Sequence, residues 1–339
     1  MASDDQGILA LGFAAICDIE MSKAKQRKIW QEKVTATENT IRMLREFNEG
    51  ISSREDSESY RRFLRMDVST FEELVAFVSP SIERKNTSMR EAIPAAERIA
   101  LTLRYLTTGE TQSSLSYQFR IAQNTISDAN LKFLYVDVGI NGRVSDGGVW
   151  GKSKLRQAIT NGDMNIPEAA TLPGSASKLP FVIVADDAFP LMPNIMKPYP
   201  GSNLSKECLV FNYRLSRARR VSENAFGILA ARFRVFDTAI LTSVPNTKLI
   251  VLAACSLHNF LTNRSKNTYI PEDCAEREDI LNGVLIEGNW RQNTNQLISC
   301  QMISSRGSNY AKDVRDRFCN FFNSEGDDVP WQDNNYTLH

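Results

Sequence analysis

Apolar positions recur at helical spacing through much of the first half of this chain. In STFEELVAFVSP, residues Phe71, Leu74, Val75 and Val78 fall on one face. The spacing predicts a helix with Ser69 as its cap, Glu72 as capping-box partner and Pro80 as its stop. A second amphipathic helix is expected over Ala95 to Leu106, then a turn at Thr108-Gly109-Glu110 and a short helix from Thr111 to Phe119. After Arg120 the stretch IAQNTIS reads as a third short helix, rich in small polar residues. That order fits a helix-turn-helix and equally a plain three-helix packing unit. In the first case Gln123 and Asn124 can face bases and Arg120 a phosphate.

The period changes afterwards. LKFLYVDV (Leu131 to Val138) reads as a strand, closed by Gly139, Asn141 and Gly142, and SDGGVW as a turn opening a helix. Thr171 to Ser177 reads as a loop, and Phe181 to Ala185 as a strand covered on both faces. The first strand is expected to pair with the second or to stand as a misfitted edge. Helical spacing returns over Ser216 to Ala231 and Leu249 to Leu261, while Arg264 to Glu287 is polar and reads as loop-rich. The end, AKDVRDRFCNFFNSEGDDVPWQ, reads as a helix, a turn and an anchored tail. These elements divide the chain into a charged helical segment with a linker (1–59), a helical domain (60–130), an α/β core (131–263) and a C-terminal loop, helix and tail (264–339).

Composition removes several possibilities. Forty basic and forty acidic residues cancel, so contact with nucleic acid has to come from local clusters. The six cysteines form no C-x-x-C pair, which argues against a disulfide framework or a zinc site. The apolar start GILALGFAAIC follows Asp4 and Asp5 and is too short to span a bilayer, so it reads as a short buried or partner-binding helix. The expectation is a soluble protein with no membrane contact.

Two carboxylates, Asp186 and Asp187, follow the apolar run at Phe181, where strand ends of α/β sheets gather ligands. They suit an oxygen-liganding Mg²⁺ or Mn²⁺ site, or a capped turn. Glu223 lies on the next helix among Arg214, Arg217, Arg219, Arg220, Arg232 and Arg234. It can be a simple ion-pair partner of Arg219 and Arg220, or an acid beside a row of guanidiniums holding a phosphate backbone. His258, amid apolar residues at helical spacing, reads as a satisfied core histidine.

The blocks ADDAFPL, KPYP and FNYRLSRARRVSENAFGILAARFRVF resemble the DDE-type PIF/Harbinger transposases and their domesticated nucleases. TLRYLTTGETQSSLSYQFRIAQNTIS is similar to that family's helix-turn-helix region. The resemblance covers about Tyr60 to Gln332. It implies an RNase H-like core that cuts DNA with divalent cations, Asp186 as second catalytic acid and metal ligand, and Glu223 as third. With the resemblance favouring a DNA-binding reading, Arg120, Gln123 and Asn124 are the expected DNA contacts of the helix-turn-helix, and Arg214, Arg217, Arg219 and Arg220 those around Glu223. It also implies a nuclear site of action, with the cytoplasm as a second compartment, and a Myb/SANT-like protein partner.

The family's first acid sits on a segment like DGTH, and this chain has no such segment. Ser127 runs directly into Asp128, where relatives carry several tens of further residues, so the core is expected to be truncated there. Asp137 and Asp146 are the carboxylates nearest in sequence that could stand in. The resulting expectation is an endonuclease with impaired catalysis, and the alternative is a non-catalytic DNA- or protein-binding remnant or isoform.

Overall fold

The computed structural model describes residues 61, 64–83, 94–108, 126–127, 131–139, 146–164, 166–172, 177–240, 242–279, 284–292 and 307–324. The N-terminal segment, and with it Arg120, Gln123 and Asn124, lies outside them. In chain order the elements are helices α1 (Val68–Ile82) and α2 (Ala95–Thr108), strands β1 (Ile126–Ser127) and β2 (Phe133–Tyr135), and helices α3 (Asp146–Lys152) and α4 (Lys154–Asn161). Strands β3 (Ala170–Thr171), β4 (Lys178–Leu179), β5 (Ile183–Val184) and β6 (Ile195–Met196) precede the long α5 (Lys206–Arg232). Helices α6 (Val244–Arg264) and α7 (Lys266–Tyr269), the pair β7 (Arg277–Asp279) and β8 (Val284–Ile286), and α8 (Asn309–Phe322) complete the set. The class is α/β: mainly helix, with small sheets.

Two compact units divide the chain. One comprises residues 1–119, 227–274 and 293–295, the other 120–226, 275–292 and 296–339. Helix α5 begins in the second, and its last residues, from Gly227, are counted with the first.

In the first unit α1 starts at Asp67, two residues before the expected cap. Asp67 is extended, and its Oδ1 accepts from the Thr70 N–H at 2.8 Å and the Ser69 hydroxyl at 2.8 Å. Ser69 is therefore inside the helix. So is Pro80: the helix runs on to Ile82, because a proline in the last turn sacrifices one hydrogen bond at a frayed end. Phe71, Leu74, Val78 and Ile82 form the buried stripe. The Phe77 and Phe260 rings stand 6.3 Å apart, and Glu73 meets Arg264 at 2.5 Å. His258 is fully buried, its Nδ1 2.9 Å from the Tyr269 hydroxyl, which makes it the core histidine its spacing suggested.

The strands of the second unit form four two-stranded pairs among the described residues. β2 pairs antiparallel with β1, with an irregular register, and not with the strand at Phe181. Thus the last two residues of IAQNTIS are strand rather than helix, and the Ser127–Asp128 junction falls between two paired strands. Leu131, just beyond it, takes φ 66°, a left-handed conformation that costs a non-glycine residue about 1 to 2 kcal/mol. β5 and β6 are parallel, tied by Ile183 N–H to Asn194 O (2.9 Å) and Ala185 N–H to Met196 O (2.8 Å). Behind them Leu191, Met196, Phe211 and Leu215 pack with Val314 and Phe318 of α8. No helix among the described residues is long and apolar enough to cross a membrane.

Candidate functional site

Helix α5 presents two polar stripes to its neighbours within the second unit. Tyr213, Arg217, Arg220 and Asn224 follow one another at steps of four, three and four, so they lie on one face. Arg219 and Glu223, four apart, lie on the adjacent stripe. The two stripes meet different partners.

Asp186 leaves β5 immediately after buried Ala185 and opens the connection to β6. Its Oδ1 accepts from the Ala188 N–H at 3.0 Å, so it does cap the turn. Burial pushes its carboxyl above the usual range; the Ala188 N–H, then Arg219, pull it back, Asp187 pushes it up and Lys197 lowers it. Arg219 in turn meets Glu223 Oε1 at 2.9 Å. One guanidinium on α5 thus holds Glu223 directly and acts on Asp186 through its field.

Asp187 has a separate role. The buried Lys197 binds its Oδ1 at 2.9 Å and donates to its main-chain oxygen at 2.8 Å. Lys197 comes from KPYP, just after β6, so this ion pair locks the two ends of the β5–β6 connection together.

The other stripe faces an acidic strand. Glu276 and Glu278 alternate with exposed Arg277, so both carboxylates point the same way and are buried, 1% and 6% exposed at the side chain. Arg217 Nε stands 2.6 Å from Glu278 Oε2, a charge contact rather than an aligned hydrogen bond. Arg220 lies 3.8 Å from Glu276 and 4.0 Å from Glu278. The Tyr213 hydroxyl donates to Glu278, and Arg291 Nε to Glu276. Arg217 and Arg220, read from sequence as phosphate contacts, are therefore turned toward internal carboxylates. Arg214 sits over the Phe322 ring at 5.7 Å.

Two asparagines of α5 fasten extended chain in the same manner. Asn224 donates to Glu276 O at 3.1 Å and accepts from Glu276 N–H at 2.9 Å, imitating a strand neighbour. Its oxygen also accepts from the Trp290 indole N–H at 2.9 Å. Asn212 does the same for Tyr199, accepting its N–H at 2.7 Å and donating to its carbonyl at 3.0 Å. Asparagine is a poor interior helix residue, and two of them inside α5 were the available signal for these clamps. Lys197, Glu276, Glu278 and Arg291 had no comparable signal, since each takes its meaning from a distant partner.

Asp137 follows β2 and accepts from the Tyr135 hydroxyl at 3.4 Å, while Asp146 begins α3. Among the described residues, no group of three or more His, Cys, Asp or Glu side chains is arranged to hold a metal ion.

Residues 111–259 match the family described as DDE superfamily endonuclease. "Protein ALP1-like" of Arabidopsis thaliana is 25% identical over 203 residues, which are 59% of this chain and 46% of that protein. The chain thus spans less than half the length of this curated relative. No solved structure matches.

Proposed function

We propose that this chain, whose residues 111–259 match the DDE superfamily endonucleases, derives from a Harbinger-type transposase and is a divalent-metal-dependent DNA endonuclease with impaired catalysis. Its core, on this reading, is an RNase H-like sheet truncated at the Ser127–Asp128 junction, preceded by a helix-turn-helix. The observation that supports the site is the placement of Asp186 just after β5 and of Glu223 on α5, where Arg219 meets Glu223 at 2.9 Å. The two acids come from separate elements, a strand end and a helix, and Arg219 acts on both.

On this reading the two acids serve one ion. Two carboxylate-bearing residues suit a hard cation such as Mg²⁺ or Mn²⁺, which would take the place of Arg219 at Glu223. Asp186 and Glu223 would hold it. A divalent ion supplies Lewis acidity at phosphorus and an activated water. The chain's own residues orient that pair: Lys197 and Asp187 fix the turn that carries Asp186, and Asn224 fixes the helix next to Glu223. A clamp on both entering and leaving oxygens needs two ions, and these two acids do not make it. Loss of a transition-state stabiliser of this kind costs on the order of a hundred- to a thousand-fold in rate. The proposal includes action in the nucleus together with a Myb/SANT-like partner.

Cleavage of supercoiled DNA in Mn²⁺, comparing the parent with Asp186→Ala and Glu223→Ala, tests the reading. Weak cleavage by the parent, lost in both variants, is expected. Vigorous parental cleavage lost in both variants would mean a complete site with Asp137 or Asp146 as third acid. Equal inertness of all three would leave the chain a non-catalytic binding remnant.

A further inference from the structure

Arg291 is held more firmly than an exposed arginine needs to be. Its side chain is 40% exposed, yet its Nε donates to the buried Glu276 carboxylate. Its guanidinium lies 4.7 Å from the centre of the Trp290 ring. The same Trp290 donates its indole N–H to Asn224, the residue after Glu223, and Asn224 grips Glu276 by both backbone polar groups. Asn224, Glu276, Trp290 and Arg291 therefore form a closed ring of contacts built on the helical turn that carries Glu223. An arginine that is oriented on one side by a carboxylate and on one face by an indole loses little freedom when it meets a ligand.

We propose that Arg291 is a DNA-backbone contact near the turn of α5 that carries Glu223, a guanidinium preset by Glu276 and Trp290 to grip a phosphodiester oxygen. The ligand class follows from the chemistry. A planar guanidinium with further N–H groups beyond the one given to Glu276 matches phosphate oxygens. On the neighbouring stripe Arg217 and Arg220 are turned toward Glu278 and Glu276, with side chains 26% and 18% exposed, and are poorly placed to do this work. Asn224 and Glu276 are positioning residues: they touch Arg291 or its support and not the DNA. The turn Asn289–Gln292 thereby becomes part of the nucleic-acid surface. This inference rests on the endonuclease reading and adds a substrate contact to it.

The test is binding of a fluorescent 30-base-pair duplex, in Mg²⁺-free buffer, across a series of salt concentrations. Parent, Arg291→Ala, Arg291→Lys and Glu276→Gln are compared, each with a melting curve. A phosphate contact predicts that Arg291→Ala flattens the log–log slope by about 0.9, so the parent gains roughly three- to fourfold more affinity than the variant for a fourfold drop in salt. Arg291→Lys keeps the charge and is expected to restore the slope while binding more weakly than the parent. Glu276→Gln should weaken binding with the slope retained. If Arg291→Ala lowers only the melting temperature and leaves the slope unchanged, the residue is a structural partner of Glu276 and the inference fails alone. If the parent binds no DNA at any salt concentration, the endonuclease reading fails with it. Should Arg291→Ala not fold, Arg291→Lys decides: affinity equal to the parent's overturns the inference.

Discussion

Asp67 sets the start of α1 with the same oxygen that sets its acidity. Burial alone pushes its carboxyl up; the Thr70 N–H, the Thr70 and Ser69 side chains and Arg61 outweigh it, and the net shift is downward. A carboxylate with a lowered folded pKa contributes stability that is full above its unfolded value, 3.8, and disappears as pH falls through the folded value. Asp67→Asn should therefore keep the cap at neutral pH, because asparagine caps about as well, and remove this part of the acid limb of the stability curve. Asp67→Ala should lose about 1 kcal/mol at pH 7 in a denaturant melt. Equal acid sensitivity in the parent and Asp67→Asn would show that the cap is unformed. Ser69 was the nearer choice on sequence because it completes a capping box with Glu72; the aspartate two residues earlier prevailed because its carboxylate takes both the Thr70 N–H and the Ser69 hydroxyl.

At the scale of elements, the long helices were the legible part. Amphipathic spacing gave α1, α2, α6 and α8 within a few residues, since a buried stripe leaves its period in the sequence. α5 begins at Lys206, well before the expected Ser216, because its first turns bury Phe211 and Leu215 against α8, and that partner is remote in sequence. The strands were legible as runs and not as pairs. Nothing in LKFLYVDV says that it will pair with Ile126–Ser127, and β7 hides from hydrophobic patterning because the inward residues in it and just before it are Glu278 and Glu276. That acidic strand depends on Asn224. Asn224→Ala leaves a buried N–H and C=O of Glu276 unpaired, at a cost of about 1 to 3 kcal/mol each. We expect a lowered melting temperature and faster hydrogen exchange over residues 276–286, with the Asn212 clamp at Tyr199 still protected. Unchanged exchange in that stretch would show that the ion pairs of Arg217 and Arg220 hold the strand by themselves. The placement of Asp186 after a short strand, and of Glu223 on a helix beside Arg219, was readable in the sequence. The sorting of the α5 arginines was not, because it depends on which helical stripe faces Glu276 and Glu278.

For the whole molecule the net charge is zero, and among the described arginines of α5 Arg217 and Arg220 turn toward buried carboxylates while Arg219 is more exposed. Counterion release depends on the exposed kind alone, with a slope of about −0.9 per phosphate contact. Arg217→Ala removes a partner of buried Glu278, so it should destabilise the fold, by up to about 3 to 5 kcal/mol for a fully buried pair, while leaving the salt slope of DNA binding as it was. Arg219→Ala removes a more exposed guanidinium from beside Glu223 and should do the reverse, with a slope shallower by about 0.9 and a nearly unchanged melting temperature. Exposed ion pairs of the Arg219–Glu223 kind contribute only about 0.3 to 0.5 kcal/mol, which is why little stability is at stake there. Melting curves and salt titrations on the two variants separate the roles in one pair of measurements. If both variants flatten the slope equally, the acidic strand yields to DNA and the stripe carrying Arg217 and Arg220 rejoins the binding surface. If only Arg219→Ala does, the strand is a permanent partner of that stripe, and the phosphate backbone is read along the stripe that carries Glu223.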